Sequence, residues 1–252
     1  MAFDLNTIHL PPRILEAKRV LVVSPHPDDA QLGAGGTLAR LISLGAEVWE
    51  LTVTDDRYSI PGFVWQEGGP LTKRQQESIN AQNYMGMKNA GFLGFQDKTT
   101  ADVPTIGREI CAVIRRIRPD LVLTVDPTNR HESHCDHIKV GNAVKFACLD
   151  CDCRFYPDFV DGKLRDDQYI VPAVGYFHTD APNTLVDITD FKETKSRSIE
   201  FHHVNEPELM ASLQYHEEYF GKKAGVRYAE AFRLQGYHQF HCFSLPLETV
   251  IC

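Results

Sequence analysis

One segment indicates how this chain folds: Val20-Leu21-Val22-Val23-Ser24-Pro25-His26-Pro27-Asp28-Asp29. It joins a β-branched, apolar run, which predicts a buried strand, to a short polar turn. In an open α/β fold, ligand sites collect at the carboxyl ends of strands. One imidazole and two adjacent carboxylates have no packing role there, and neighbouring carboxylates repel unless a cation or a proton separates them. Residues 24–29 therefore mark a candidate site.

The rest of the chain predicts an α/β fold with a mostly parallel sheet and helices on both faces. A helix from Gln31 to Leu44 and a strand from Val48 to Val53 complete a right-handed βαβ unit. The continuous apolar run from Leu121 to Val125 predicts a strand that is covered on both faces. Further helices are expected over 72–87, 106–117, 136–149, 192–203 and 206–220, and further strands over 171–178 and 184–188.

Length and composition favour one large domain over 1–252, with the part from about 150 to 252 adding elements of a substrate pocket. No apolar run approaches the ~20 residues of a membrane span. The first residues lack the basic region and apolar core of a signal peptide, so we expect a cytoplasmic protein. The net charge of -8 argues against a nucleic-acid partner. A neutral or cationic small substrate fits better.

The chain has seven cysteines, an odd number that favours reduced thiols. Three of them form one dense group, Cys148-Leu149-Asp150-Cys151-Asp152-Cys153. Because this group lacks the second ligand pair of a Cys₄ zinc site, we expect a loop with free thiols.

A second polar concentration follows the strand at 121–125 and ends in His134-Cys135-Asp136-His137. The carboxyl ends of parallel strands lie on one edge of a sheet, so this segment and residues 24–29 can converge. Two histidines and one carboxylate form a usual catalytic zinc set with a position left for water. His26 and Asp29 are expected to be two of the ligands, and His137, entering a helix, the third.

A metal held in this way lowers the pKa of its water toward ~7 and polarises a carbonyl oxygen, which is equipment for hydrolysing an amide or ester. Asp28, beside a ligand, is then the expected general base. His134 could donate to the oxyanion or to the leaving nitrogen. Asp136 would hold one imidazole in its tautomer.

The same residues resemble the paired signatures of the LmbE-like, or PIG-L, zinc-dependent deacetylases, which remove acyl groups from N-acetylglucosaminyl compounds. The order of elements agrees from about Val20 to His203. Six segments carry the resemblance: His26-Pro27-Asp28-Asp29, Gly35-Gly36-Thr37, Arg74-Gln75-Gln76-Glu77, Phe92-Leu93-Gly94, His134-Cys135-Asp136-His137 and Tyr228-Ala229-Glu230-Ala231-Phe232.

The resemblance implies a Rossmann-like three-layer sandwich, one Zn²⁺ per chain, and an amino-sugar substrate. It implies His26, Asp29 and His137 as metal ligands and Asp28 as the base. It also implies that Arg74 faces the sugar. Two departures are Ala30, where many members have an acid, and Cys135, which replaces a usual proline. Neither departure removes a ligand.

Alternative functions remain at this stage. Gly33-Ala34-Gly35-Gly36 suggests a nucleotide-binding module, although its glycines come later than a dinucleotide fingerprint requires. Two histidines and a carboxylate also describe an iron oxygenase, and an inactive metal-binding homologue is a further alternative. Substrate specificity is assigned to the loops at 58–71 and 150–170 and to the C-terminal segment. The aglycone, the roles of His131, His238 and His241, and the oligomeric state, for which a homo-oligomer is one alternative, stay open.

Overall fold

A computed structural model describes residues 10–59, 71–154, 166–203, 206–241 and 250–252. Within these ranges the chain forms an eight-stranded sheet and six α-helices. The strands are β1 (Arg19–Ser24), β2 (Glu47–Thr54), β3 (Lys88–Phe95), β4 (Leu121–Val125), β5 (Ala173–Phe177), β6 (Thr184–Asp187), β7 (Ala229–Gly236) and β8 (Val250–Ile251). The helices are α1 (Asp29–Ser43), α2 (Lys73–Met85), α3 (Val103–Ile117), α4 (Cys135–Asp150), α5 (Lys192–Ile199) and α6 (Pro207–Ala224).

The strand order is β3-β2-β1-β4-β5-β7-β6-β8. The first five strands in this order are parallel to one another, whereas β7 runs antiparallel to both β5 and β6. The predicted, mostly parallel sheet is therefore confirmed. Since the chain moves from β1 to β2 on one side and later returns to β4 on the other, a crevice opens between the carboxyl ends of β1 and β4.

Helices cover both faces of the sheet, as the apolar strands predict. One core cluster joins α1 to the central strands and includes Ala34, Leu38, Leu41, Val20, Val22, Leu121 and Leu123. The other joins α3 and α4 to the opposite face and includes Ile106, Ile110, Ile114, Val140, Val144, Leu21, Val23 and Val122. Alternate residues of β1 thus contribute to different cores, which explains why this strand is apolar throughout.

The helix boundaries differ slightly from the predicted ones. α1 begins at Asp29 instead of Gln31. α3 begins at Val103, earlier than expected, because the Asp102 side chain accepts a hydrogen bond from the Thr105 backbone N–H (2.8 Å) and caps the helix. Every helix in the described ranges is too short or too polar to be a membrane span.

The glycine run lies inside α1, and its glycines make room for close neighbours. A Cβ atom at Gly36 would lie 2.7 Å from Cβ of Ile188, and one at Gly35 would lie 2.9 Å from Cγ of Lys195. Because a dinucleotide fingerprint places its glycines in the turn before the helix, the position of this run favours a packing role.

The cysteine group spans the end of α4, and Cys148 and Cys151 are fully buried. The Cys151 thiol contacts the Tyr169 carbonyl oxygen at 3.1 Å, and burial raises the pKa of the Cys148 thiol. In the described part of the chain, cysteine takes part in no group of three or more potential metal ligands. Two of the three thiols are therefore core side chains, and only Cys153 is an exposed loop thiol.

We predict that Gly36→Ala lowers the free energy of unfolding by about 1–3 kcal/mol, because the added methyl group overpacks against the stiff, buried Ile188 side chain. Urea denaturation would measure the change. Gly107→Ala in α3 is the matched control: its Cβ would meet the Ala143 carbonyl oxygen at an ordinary 3.5 Å, so this variant should be neutral or up to about 1 kcal/mol more stable. Equal destabilisation of both variants would contradict the packing role.

Candidate metal centre and active site

The two polar segments meet at the crevice between β1 and β4. Residues 25–28 connect β1 to α1, and residues 126–134 connect β4 to α4. β1 and β4 are adjacent parallel strands, so both connections leave the same edge of the sheet. Asp29 and His137 then lie in the first turns of α1 and α4.

Three histidines gather at this point. The ring centroid of His26 lies 4.6 Å from that of His134 and 5.2 Å from that of His137, and the last two are 4.9 Å apart. One potential ligand atom from each of the three lies within 4.8 Å of the others. Histidines so far apart in sequence have been brought within the reach of a single cation.

Asp29 lies between two of these histidines. Its Oδ2 atom is 3.3 Å from Nδ1 of His26 and also accepts the His26 backbone N–H at 2.7 Å. Its Oδ1 atom is 3.4 Å from Nε2 of His137. The three residues that the sequence predicts as ligands therefore present two imidazole nitrogens to the two oxygens of one buried carboxylate.

Further carboxylates surround the histidines on their outer sides. Glu132 Oε2 lies 2.8 Å from Nδ1 of His137. Asp97 and Asp136 each place an oxygen 3.6 Å from Nε2 of His26. Together with His134, these two aspartates and His26 form a second, overlapping group of potential ligands.

Charge at this point favours a bound cation. Burial lowers the pKa of His137, but the Asp29 carboxylate outweighs burial and raises the pKa to about 9. Burial likewise lowers the pKa of His26, but hydrogen bonds with Asp136, Asp29 and Asp97 raise it well above its ordinary value. Imidazole and carboxylate donors in a negative field suit a divalent metal, so these side chains fit the predicted kind of metal site.

Asp136 also connects α4 to the loop that follows β3. Its carboxylate accepts the backbone N–H groups of Lys98 (2.6 Å) and Thr99 (3.0 Å), which follow β3. Since Asp136 is fully buried, it fixes this loop against α4 while one oxygen faces His26.

His134 caps α4 and has a defined tautomer. Its Nδ1 atom accepts the backbone N–H of Asp136 at 3.3 Å, and its own backbone N–H donates to Glu132 at 2.7 Å. Burial lowers the pKa of His134, with a smaller contribution from the His26 and His137 charges. A neutral imidazole whose Nδ1 accepts carries its proton on Nε2, so His134 offers a hydrogen-bond donor.

Asp28 points toward Arg74. Nη2 of Arg74 donates to Asp28 Oδ2 at 2.8 Å, Nε donates to Asp56 Oδ2 at 2.6 Å, and Nη1 donates to Glu77. The Arg74 side chain is completely buried. The residue predicted to face the sugar is therefore held among three carboxylates, one of which is the predicted base.

Sequence reasoning missed Glu132, Asp97 and Asp56 as members of the site. Asp56 and Asp97 follow β2 and β3 just as Asp28 follows β1, so polar residues after these strand ends were an available signal. Glu132 lies in the polar segment between residues 125 and 137, but no spacing rule links it to His137. Of the two loops to which the sequence assigns substrate specificity, residues 60–70 and 155–165 lie outside the described residues.

A cavity of about 600 Å³ lies on the β5 and β7 side of the site. The connection from β4 to α4 contributes Asn129 and His131, and His178 follows β5. The apolar part of the wall comes from α1, α6 and β7 and consists of Leu32, Leu209, Leu213, Phe220, Ala229 and Ala231. Lys195 and Glu217 also line it, and their charged atoms pair at 2.9 Å.

A family model described as GlcNAc-PI de-N-acetylase, PIG-L, matches residues 21–148. The match begins in β1 and ends in α4, so it contains both connections of the candidate site. At the level of the whole chain, diacetylchitobiose deacetylase of Thermococcus kodakarensis is 34% identical over 229 residues, covering 86% of this chain and 83% of that protein.

Two further comparisons agree. A 1D-myo-inositol 2-acetamido-2-deoxy-alpha-D-glucopyranoside deacetylase of Rhodococcus jostii is 31% identical over 169 residues, covering 57% of this chain and 58% of that one. The structure of N,N'-diacetylchitobiose deacetylase from Pyrococcus horikoshii, in complex with its inhibitor MPG, has a TM-score of 0.79 and 27% identity, covering 95% of this chain and 90% of that chain. This chain therefore belongs to the PIG-L family of metal-dependent N-deacetylases.

Proposed function

We propose that this enzyme hydrolyses the acetamido group of a small N-acetylglucosaminyl compound and releases acetate and a free amine. The observation that carries the proposal is the placement of Asp29 between Nδ1 of His26 and Nε2 of His137, with Asp28 next to it. The substrate class rests on the relatives, whose names specify deacetylation of diacetylchitobiose and of an acetamido-glucopyranoside of inositol.

We infer that His26, Asp29 and His137 hold one metal ion and that zinc is the native metal. When bound, zinc lowers the pKa of a water molecule toward about 7 and polarises the substrate carbonyl. The remaining carboxylates support this ligand set. Glu132 lies on the far side of the His137 ring, and Asp97 and Asp136 lie near the far nitrogen of His26, as residues that orient ligand imidazoles do.

Asp28 is the general base in this proposal. Its neighbour Asp29 is turned toward the histidines, whereas Asp28 Oδ2 is fixed by Arg74 at 2.8 Å. A carboxylate held on one oxygen keeps a defined direction for proton transfer at the other. Arg74 is fully buried, so its contribution to sugar binding would come through the carboxylates it orients.

His134 is proposed to donate from Nε2 to the developing oxyanion or to the leaving nitrogen. Its Nδ1 atom is occupied by a backbone N–H, which keeps the proton on the opposite nitrogen. Asp136 contributes by holding His26 and the loop after β3 in place.

We further propose that the C-terminal part of the chain supplies the subsite for the rest of the substrate. The cavity beside His178 is walled by α6 and β7, and it shares Asn129 and His131 with the connection that carries the site. An acetyl group needs far less space than about 600 Å³. A second ring or a mainly apolar aglycone would suit its lining.

The direct test couples metal analysis to acetate release. The purified protein is expected to contain about one zinc ion per chain, to lose turnover on chelation, and to recover it when zinc is restored. A panel of N-acetylated sugars, including N-acetylglucosamine and diacetylchitobiose, should yield acetate and a free amine. A metal-loaded protein that releases acetate from none of them would refute the proposed substrate class.

For the base, we predict that Asp28→Asn retains the metal and lowers kcat by about 10²–10⁴-fold, because a carboxamide cannot accept the proton. Metal content and acetate release are measured on the same sample. Asp102→Asn is the control, since Asp102 is an exposed cap of α3 whose replacement keeps a capping side chain. Normal turnover by Asp28→Asn would exclude Asp28 as the base.

For the cavity, we predict that Ser212→Phe raises KM for diacetylchitobiose about 10-fold, or about 1.4 kcal/mol, and leaves N-acetylglucosamine turnover unchanged. Ser212 is an exposed α6 residue that lines the cavity, so a benzyl group there can fill the space without disturbing the core. Ala211→Phe places the same group on α6 outside the lining and should change neither substrate. The same KM increase in both variants would argue against a subsite in the cavity.

A further inference from the structure

Glu50 is an acidic side chain inside the sheet layer. It lies on β2, opposite Val22 of β1, and is completely buried. Burying a carboxyl group is unfavourable unless hydrogen bonds compensate for the lost water. The proposed reaction assigns Glu50 no role, so its retention in the core requires another reason.

Its two oxygens bind the two ends of one turn. Oε1 accepts the Ser24 hydroxyl at 2.9 Å, and Oε2 accepts the Gln31 side-chain amide at 3.1 Å. Ser24 is the last residue of β1, and Gln31 lies in the first turn of α1. Both partners are fully buried. A single side chain therefore spans the four residues that connect β1 to α1, from Pro25 to Asp28.

We propose that Glu50 is a positioning residue that holds both ends of the β1–α1 turn and thereby sets the spacing of His26 and Asp29. This inference rests on the proposed metal-binding role of these two residues. A shift of either end would alter the 3.3 Å separation between His26 Nδ1 and Asp29 Oδ2. Residues that orient metal ligands usually affect metal affinity without contacting the metal.

We expect the bridge to form without a negative charge at position 50. Burial raises the pKa of Glu50 to about 7, although hydrogen bonds with Gln31, Ser24 and Gln82 oppose this rise. A glutamine at position 50 can accept from Gln31 through its oxygen and donate to the Ser24 hydroxyl through its nitrogen, because a hydroxyl both donates and accepts. A leucine at this position has a similar size but leaves Ser24 and Gln31 without their partner.

The experiment compares Glu50→Gln with Glu50→Leu by zinc affinity. The metal-free proteins are titrated with zinc in competition with a chromogenic chelator, and circular dichroism confirms that each is folded. We expect Glu50→Gln to keep nearly the wild-type Kd for zinc and Glu50→Leu to raise it by about 10–100-fold. Thr184→Val on β6 is the matched control, because it removes a buried hydroxyl that donates to the Asn183 side chain and should leave the zinc Kd unchanged.

A folded Glu50→Leu protein with wild-type zinc affinity would overturn the inference. An equal loss in Glu50→Gln would also overturn it, because charge and not bridging would then be required. If Glu50→Leu does not fold, Ser24→Ala and Gln31→Met decide: each removes one end of the bridge and should weaken zinc binding, whereas unchanged affinity in both refutes the role.

Acetate release by the wild-type enzyme separates the two proposals. If zinc affinity depends on Glu50 but the protein releases acetate from none of the N-acetylated sugars, the substrate proposal is refuted and the positioning role is retained. An enzyme that releases acetate but whose zinc affinity is unchanged by Glu50→Leu would retain the substrate proposal and refute the positioning role.

Discussion

The structure depends on how it compensates negative charge buried at the carboxyl edge of its central strands. Asp28, Asp29, Asp97 and Asp136 all lie at this edge and are nearly inaccessible to solvent. Left alone, such a group of carboxylates would oppose folding, because each loses hydration and repels the others. Guanidinium, imidazole and backbone N–H groups face these carboxylates and relieve this conflict.

The compensation differs on the two sides of the β1–α1 turn. Asp28 faces a fixed positive charge, Arg74, whose own side chain is immobilised by Asp56 and Glu77. Asp29 faces two imidazoles, whose charge depends on pH and on metal. Adjacent carboxylates thus become chemically distinct: one has a permanent counter-ion, whereas the other has partners that can exchange protons for a metal.

Much of this arrangement was predictable from the sequence because it depends on local patterns. The apolar runs of β1 and β4 predict parallel strands whose carboxyl ends share one edge of the sheet, so residues 24–29 could be expected to meet His134 and His137. That β1 and β4 are direct neighbours is seen only in the structure. The predicted start of α3 was wrong by three residues, because the Asp102 side chain caps the helix and sets its first residue.

The features that the sequence did not predict depend on contacts between distant segments of the chain. Nothing in the spacing of Glu50, Ser24 and Gln31 indicates that they share hydrogen bonds, because their contact requires the register of β2 against β1. The antiparallel direction of β7 could not be predicted either, since the segment at 228–233 has no pattern that fixes its direction. The inward position of Arg74 reflects three carboxylates from different elements, which only the folded chain brings together.

The largely exposed surface of α6 has a consequence for how this protein can change over evolution. Glu217 and Gly221 are the only buried residues of this helix, and the helix packs mainly on β6 and β7 at one side of the sheet. The other side chains of α6 can be replaced with little loss of core packing. Such replacements do not change the proposed metal ligands, which follow β1 and β4. New specificities could therefore arise by drift on one peripheral helix, without passing through intermediates that have lost the metal chemistry.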